Sequence, residues 1–122
     1  MTRINVIPVQ ELHQKHLVAE YRELPRVFKL ARDGANIPDQ YVLGAGHVTF
    51  FYDKLAFLYK RQCELVQEML DRGYNPTLDP QELYDKWRDE KSVLWNDYEP
   101  TIDAMQINRE RIEERLLDMD KK

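Results

Sequence analysis

Leu17, Tyr21, Leu24, Phe28 and Ala31 recur at spacings of four, three, four and three, and Pro25 stands inside that run. The spacing draws one apolar stripe along a helix. It predicts a first helix over 9–31, with Pro8 suited to its opening turn, where a missing N–H costs nothing. Pro25 removes one backbone hydrogen bond and is expected to kink that helix near 21–24. A second helical pattern, over 47–70, carries Phe51, Leu55, Leu58, Gln62, Leu65 and Met69 on one side, and Gly73 is its stop signal. Residues 81–91 suggest a short amphipathic helix. A third long helix, over 101–119, is read with Ile102, Met105, Ile112, Leu116 and Met119 as its apolar face. Its charged run from Arg109 to Arg115 is expected to be solvated and laced with i,i+4 pairs. "DGANIPDQ" at 33–40 and "NPTLDP" at 75–80 read as loops. With no convincing strand and no internal repeat, the expected class is all-α: one domain over 1–122, with three main helices around a small core.

A chain of 122 residues is long enough to bury roughly two-thirds of its unfolded surface. No apolar run approaches the ~18–20 residues of a membrane helix, and the first twenty residues lack the apolar block of a signal peptide. The lone cysteine, Cys63, fits a reducing compartment. These features give a cytoplasmic expectation, with no membrane partner. His13 and His16 are spaced to share a metal, but no third ligand is evident, so no metal site is expected. "LGAGH" at 43–47 lacks the dinucleotide fingerprint, since Thr49 stands where its last glycine belongs. Net charge is −4, but residues 1–61 carry 9 basic and 6 acidic side chains and residues 62–122 carry 9 and 16. The first half is therefore +3 and the second −7. A phosphate backbone responds to a local positive field rather than to the chain average.

On a helical wheel with His16 at zero, the apolar stripe centres near about 110°, Arg22 falls near about 240°, Arg26 near about 280° and Glu23 near about 340°. His16, Arg22, Glu23 and Arg26 thus share the arc opposite the stripe. One reading is a solvated face with a surface ion pair, worth under ~1 kcal/mol. The other is a carboxylate flanked by two guanidiniums and aimed into a groove. Flanking cations lower a carboxylate pKa and burial raises it, so periodicity alone leaves both open.

"MTRIN" at 1–5, "HLVAEYRELPRVF" at 16–28, "LGAGHVTFFYDKL" at 43–55 and "KRQ" at 60–62, continuing as "EL" at 64–65, carry a resemblance. A weaker echo covers "DYEP" at 97–100. In these stretches the chain resembles the pyrimidine-dimer DNA glycosylase/AP lyase family, the phage-type endonuclease V. The resemblance implies an all-α domain with its N-terminus against the first helix. It implies a catalytic pair: the α-amine of Thr2, freed when Met1 is removed, and the carboxylate of Glu23. The amine would attack deoxyribose C1′ at an ultraviolet-induced cyclobutane dimer or a related damaged base, form an imine, and cut the strand by β-elimination. Arg3, His16, Arg22 and Arg26 would bind DNA, and Gly46 and His47 would approach its backbone. The implied partner is damaged double-stranded DNA, bound by a monomer, with no cofactor and no metal. A terminal amine, with a pKa of roughly 8 against about 10.4 for lysine, is partly free at neutral pH without burial.

The chain departs from the phage pattern in three ways. The loop between Phe28 and Leu43 is shorter and carries Asp33 and Asp39 in place of a basic run. The C-terminus ends "LLDMDKK" without an aromatic, basic tail, and the second half is acidic. These changes bear on duplex affinity and lesion choice and leave Thr2, Glu23, Arg22 and Arg26 untouched. Two competing readings stand beside the enzyme: a catalytically silent DNA-binding module on the same scaffold, and an interaction protein using the charged third helix.

Overall fold

The computed structural model describes residues 3–120. It contains four α-helices: α1 Gln14–Leu30, α2 Leu55–Asp71, α3 Pro80–Trp87 and α4 Ile102–Asp120. No strand occurs among the described residues, and the all-α class holds. No helix among them is long and apolar enough to cross a membrane.

Two boundaries differ from the sequence expectation. Residues Val9–Glu11 form a separate 3-10 turn, and α1 starts only at Gln14. The cause is His13, whose extended backbone breaks the run. Its Nδ1 accepts the Lys15 N–H at 3.1 Å, which satisfies one of the amides a helix start leaves unpaired. The second helix likewise starts at Leu55 rather than near 47. Residues 47–54 form turns around a 3-10 segment, Thr49–Phe51, and the Lys54 backbone leaves helical geometry at φ −129°. Lys54 is not the outward residue its charge suggests. Its Nζ donates to the Phe50 carbonyl at 2.9 Å and lies 4.0 Å above the Phe50 ring. This irregular stretch buries Phe50, Phe51 and Tyr52 and stacks its rings edge-on with Tyr41, His47 and Tyr98.

α1 runs unbroken through Pro25. The proline leaves the Tyr21 carbonyl without its i+4 donor, and the side chain of Gln62 on α2 supplies one, Nε2 donating at 3.1 Å. Gln62 occupies an apolar register because it completes α1's backbone. The Tyr21 hydroxyl accepts the N–H groups of Thr77 and Leu78 at 2.8 and 2.6 Å, tying the 75–80 connection to the same helix. Lys91 Nζ donates to the carbonyls of Phe28, Lys29 and Ala31, a cation on the electronegative end of α1. α2 ends as expected at Gly73, whose φ is +90°. Gly73 N–H donates to Leu70 and Tyr74 N–H to Met69, the paired bonds of a Schellman turn.

The core joins α1, α2, the N-terminal segment and the 41–52 turns. Leu17, Leu24, Phe28, Leu55, Leu58 and Leu65 are fully buried in it, each worth about 1.5–3 kcal/mol in transfer from water. α4 packs the expected side against the core, with Ile112 buried and Met105 and Leu116 partly buried against it, and two features were not expected. Ile102 is 81% exposed, and the buried line is Ala104, Asn108 and Ile112.

Replacing Gln62 with Leu removes the donor to Tyr21 and should cost about 1 kcal/mol in urea unfolding. In a Pro25→Ala background the backbone N–H regained at position 25 takes that carbonyl, and the same substitution should cost about 1 kcal/mol less. A double-mutant cycle measures the difference.

Candidate active site

Residues 4–7 run into the molecule outside any helix, with no strand beside them and a bend at Ile7. Side chains take the place of a sheet ladder. The Ile4 N–H donates to His47 Nε2 at 2.8 Å, and the Ile4 carbonyl accepts the Tyr41 hydroxyl at 3.2 Å. Asn108 Oδ1, from α4, accepts both the Val6 and Ile7 N–H groups at 2.7 and 3.3 Å. Arg61, from α2, donates to the Ile7 carbonyl. The Asn5 side chain joins the set: its Nδ2 donates to Glu20 at 2.8 Å and its Oδ1 accepts from Asn108 Nδ2 at 2.7 Å. Glu20 is 1% exposed and takes a two-pronged bond from Arg61, at 2.6 and 3.1 Å. A buried carboxylate is tolerable only with such partners.

Ile4 and Val6 enter the core, while Arg3 and Asn5 face a cavity of about 340 Å³. Its other walls are His16, Ala19, Glu20 and Glu23 from α1, and Ile112 and Arg115 from α4. Arg3, His16 and Glu23, grouped from the sequence, thus line one cavity. Glu23 is half-buried and forms no ion pair with Arg22, Arg26 or any other cation among the described residues. Arg3 Nη1 and His16 Nδ1 are buried without a hydrogen-bond partner among those residues. Burial, then the like charge of Arg111, pushes the Arg3 guanidinium below its ordinary value. Burial, followed by His13, Arg3 and Arg115, lowers the His16 pKa, so its neutral form prevails near pH 7. The cavity therefore offers one free carboxylate, an uncharged imidazole and a cationic rim.

A family model described as pyrimidine dimer DNA glycosylase matches residues 1–82. The chain belongs to the pyrimidine dimer DNA glycosylase family. The match spans the N-terminal segment, α1, the 31–54 turns and α2, which supply Arg3, His16 and Glu23. It stops before α4, whose Ile112 and Arg115 close the cavity of this family member.

Of the remaining expected site residues, Arg22, Arg26, Gly46 and His47 do not line this cavity. Thr2 lies outside the described residues. Arg22 is exposed on a neighbouring groove with Lys15, Val18 and Tyr74, and Arg26 is exposed one turn further along α1. Their place on an open helix face suits contact with an extended backbone. His47 does not reach the surface. It is 4% exposed with both ring nitrogens engaged, Nδ1 donating to the Val42 carbonyl at 2.8 Å and Nε2 accepting from Ile4. His47 is a strut for the N-terminal segment, with both ring nitrogens occupied inside the protein. Gly46 has a local reason for its residue type, a φ of +85° and a Cβ position only 3.0 Å from Pro38. Close approach to a DNA backbone is not needed to explain it.

Four residues escaped the sequence reading. Glu20, Arg61 and Asn108 are polar residues in buried registers, a pattern that marks internal networks when it interrupts an apolar stripe. Arg115 belongs to the α4 run expected to be solvated. In the structure that run divides: Arg109 chelates Glu11 at 2.9 and 2.8 Å, and Arg115 faces the cavity. Among the described residues no three His, Cys, Asp or Glu side chains converge as a metal set.

Burial, the largest influence on His47, lowers its pKa from 6.5, as it does for His16. Below about pH 6.5 the unfolded chain binds protons that the folded rings resist, so folding stability should fall as pH drops from about 7.5 towards about 5. Urea midpoints across that range check the sign. His16→Gln, with one resistant ring fewer, should show a shallower decline.

Proposed function

We propose that this family member is a monomeric DNA glycosylase with AP lyase activity, acting on ultraviolet-induced cyclobutane pyrimidine dimers or a related damaged base in duplex DNA. The observation that carries the reading is that Arg3 and Glu23 line one cavity. One peptide link, a Cα–Cα step of about 3.8 Å, joins Arg3 to Thr2.

In this reading the α-amine of Thr2, exposed by removal of Met1, is the nucleophile. Its lone pair attacks C1′, the glycosidic C–N bond breaks, and the base leaves with the bonding electrons. Loss of a proton from nitrogen and opening of the sugar ring give a protonated imine at C1′. That cation acidifies the C2′ proton, whose removal expels the 3′ phosphate and cuts the strand. Glu23, free of any internal cation among the described residues, stabilises the positive charge that develops on the sugar and assists the proton transfers. His16, uncharged near neutrality, serves as a hydrogen-bonding contact to the phosphate or sugar. Arg3 and Arg115 supply positive potential at the cavity, and Arg22 and Arg26 bind phosphates along α1. A damaged, poorly stacked step is also the cheapest place to open a duplex.

The test uses protein whose intact mass shows Met1 removed, with a dimer-containing duplex under single-turnover conditions. Glu23→Gln should lower the excision rate by about 100-fold or more. Arg26→Ala should leave the saturated rate within about twofold while raising Kd and reducing the salt slope by about one. Wild-type excision by Glu23→Gln would remove the carboxylate from the mechanism.

A further inference from the structure

We propose that Asn108 is a positioning residue for the amine nucleophile, acting through the N-terminal segment and never touching substrate. The inference rests on the imine mechanism above. It concerns a residue on α4, outside the stretch matched by the family model.

Three observations carry it. Asn108 is fully buried, in the α4 line otherwise formed by Ala104 and Ile112, where an apolar residue would pack without polar demands. Among the described residues, every hydrogen bond its side chain makes goes to the N-terminal segment: Oδ1 accepts from the Val6 and Ile7 N–H groups, and Nδ2 donates to Asn5 Oδ1. Finally, Asn5 cannot turn over to suit another partner, because its Nδ2 is held by the Glu20 carboxylate, which Arg61 holds in turn. The amide orientations of Asn5 and Asn108 are therefore dictated by the network.

The consequence is a fixed register. Among the described residues of the segment, His47 and Tyr41 bond Ile4, and Arg61 bonds the Ile7 carbonyl. Asn108 alone bonds three consecutive residues, Asn5, Val6 and Ile7. A slip of one residue moves an extended chain by about 3.3 Å and turns alternate side chains to the opposite side. Such a slip would take Arg3 away from the cavity it shares with Glu23, and the amine of the preceding residue with it. Reaction at C1′ needs the attacking atom within about 3–3.5 Å of its target. A residue that governs register should therefore govern the chemical rate and leave DNA affinity, which depends on α1 and the cavity rim, nearly unchanged.

The experiment measures two quantities at about 25 °C on full-length protein with Met1 removed: the rate of borohydride trapping to an abasic duplex at saturating protein, and Kd for the same duplex without borohydride. Asn108→Ala should trap at least about 10-fold more slowly with Kd within about twofold of wild type. Met69→Ala, a core substitution on α2 whose folding at that temperature is checked by circular dichroism, serves as the stability control and should trap within about twofold of wild type. Asn108→Asp, assayed at a pH where it is ionised, keeps an acceptor for the Val6 and Ile7 amides but does not donate to Asn5. It should lose at least about threefold in trapping rate, less than the alanine variant, and it carries the test alone if Asn108→Ala does not fold. Trapping by folded Asn108 variants at the wild-type rate would overturn the proposal. So would a loss equal to that of a core variant of matched melting temperature, or a loss residing in Kd alone. Absence of any adduct with the wild-type protein would instead strike the imine mechanism on which the proposal rests.

Discussion

A segment that enters a helical core outside helix and sheet brings N–H and C=O groups that neither will satisfy. Residues 4–7 are in that position, and the rest of the molecule is arranged around them. His47 and Tyr41 come from the turns after α1, Glu20 from α1, Arg61 from α2 and Asn108 from α4. Taken singly, the buried Arg61–Glu20 pair contributes little to stability, since desolvation offsets much of its attraction. As part of a network that is nearly complete, it specifies one position for residues 4–7. Loss of either charge would leave the other buried and unpaired, at a cost of about 3–5 kcal/mol.

The same use of polar groups shapes α1. Pro25 frees the Tyr21 carbonyl, and Gln62 uses it to lock α1 to α2. Tyr21 then holds the 75–80 connection through its hydroxyl, and Lys91 closes the helix's far end. α1 is thereby fixed at its middle and its C-terminus, while the arc with His16, Glu23, Arg22 and Arg26 remains accessible to varying degrees. The acidic second half does not oppose this arrangement locally. Arg115 faces the cavity, and Arg111 lies close enough to bear on Arg3. Local field, rather than net charge, is what an incoming phosphate meets.

Much of this is legible in the residues. Helical spacing gives α1 and α2 their core positions, Gly73 marks the end of α2, and the wheel sets His16 and Glu23 on one arc. Both early boundaries fail for one reason: a helical period continues through residues that other forces remove from the helix. His13 caps α1 with its own ring, and the 47–54 rings fold back on Tyr41 and Tyr98 instead of extending α2. On α4, counting apolar residues finds Ile112, Met105 and Leu116 against the core but includes the exposed Ile102 and passes over the buried Asn108. A histidine after glycines looks accessible, yet the acceptor His47 offers to Ile4 depends on a contact 43 positions away that no local pattern encodes. Glu20 is hidden for the same reason, its partners lying 15 and 41 residues distant.

The central claim is that the core network delivers the chain's first free amine to the cavity beside Glu23. Tandem mass spectrometry of the borohydride-reduced adduct with an abasic duplex tests it most directly, because it identifies the nitrogen that bears the sugar. The account predicts the reduced deoxyribose on the α-nitrogen of Thr2 and on no side chain. Attachment to a lysine, such as Lys15 in the neighbouring groove, with an unmodified Thr2 would contradict it.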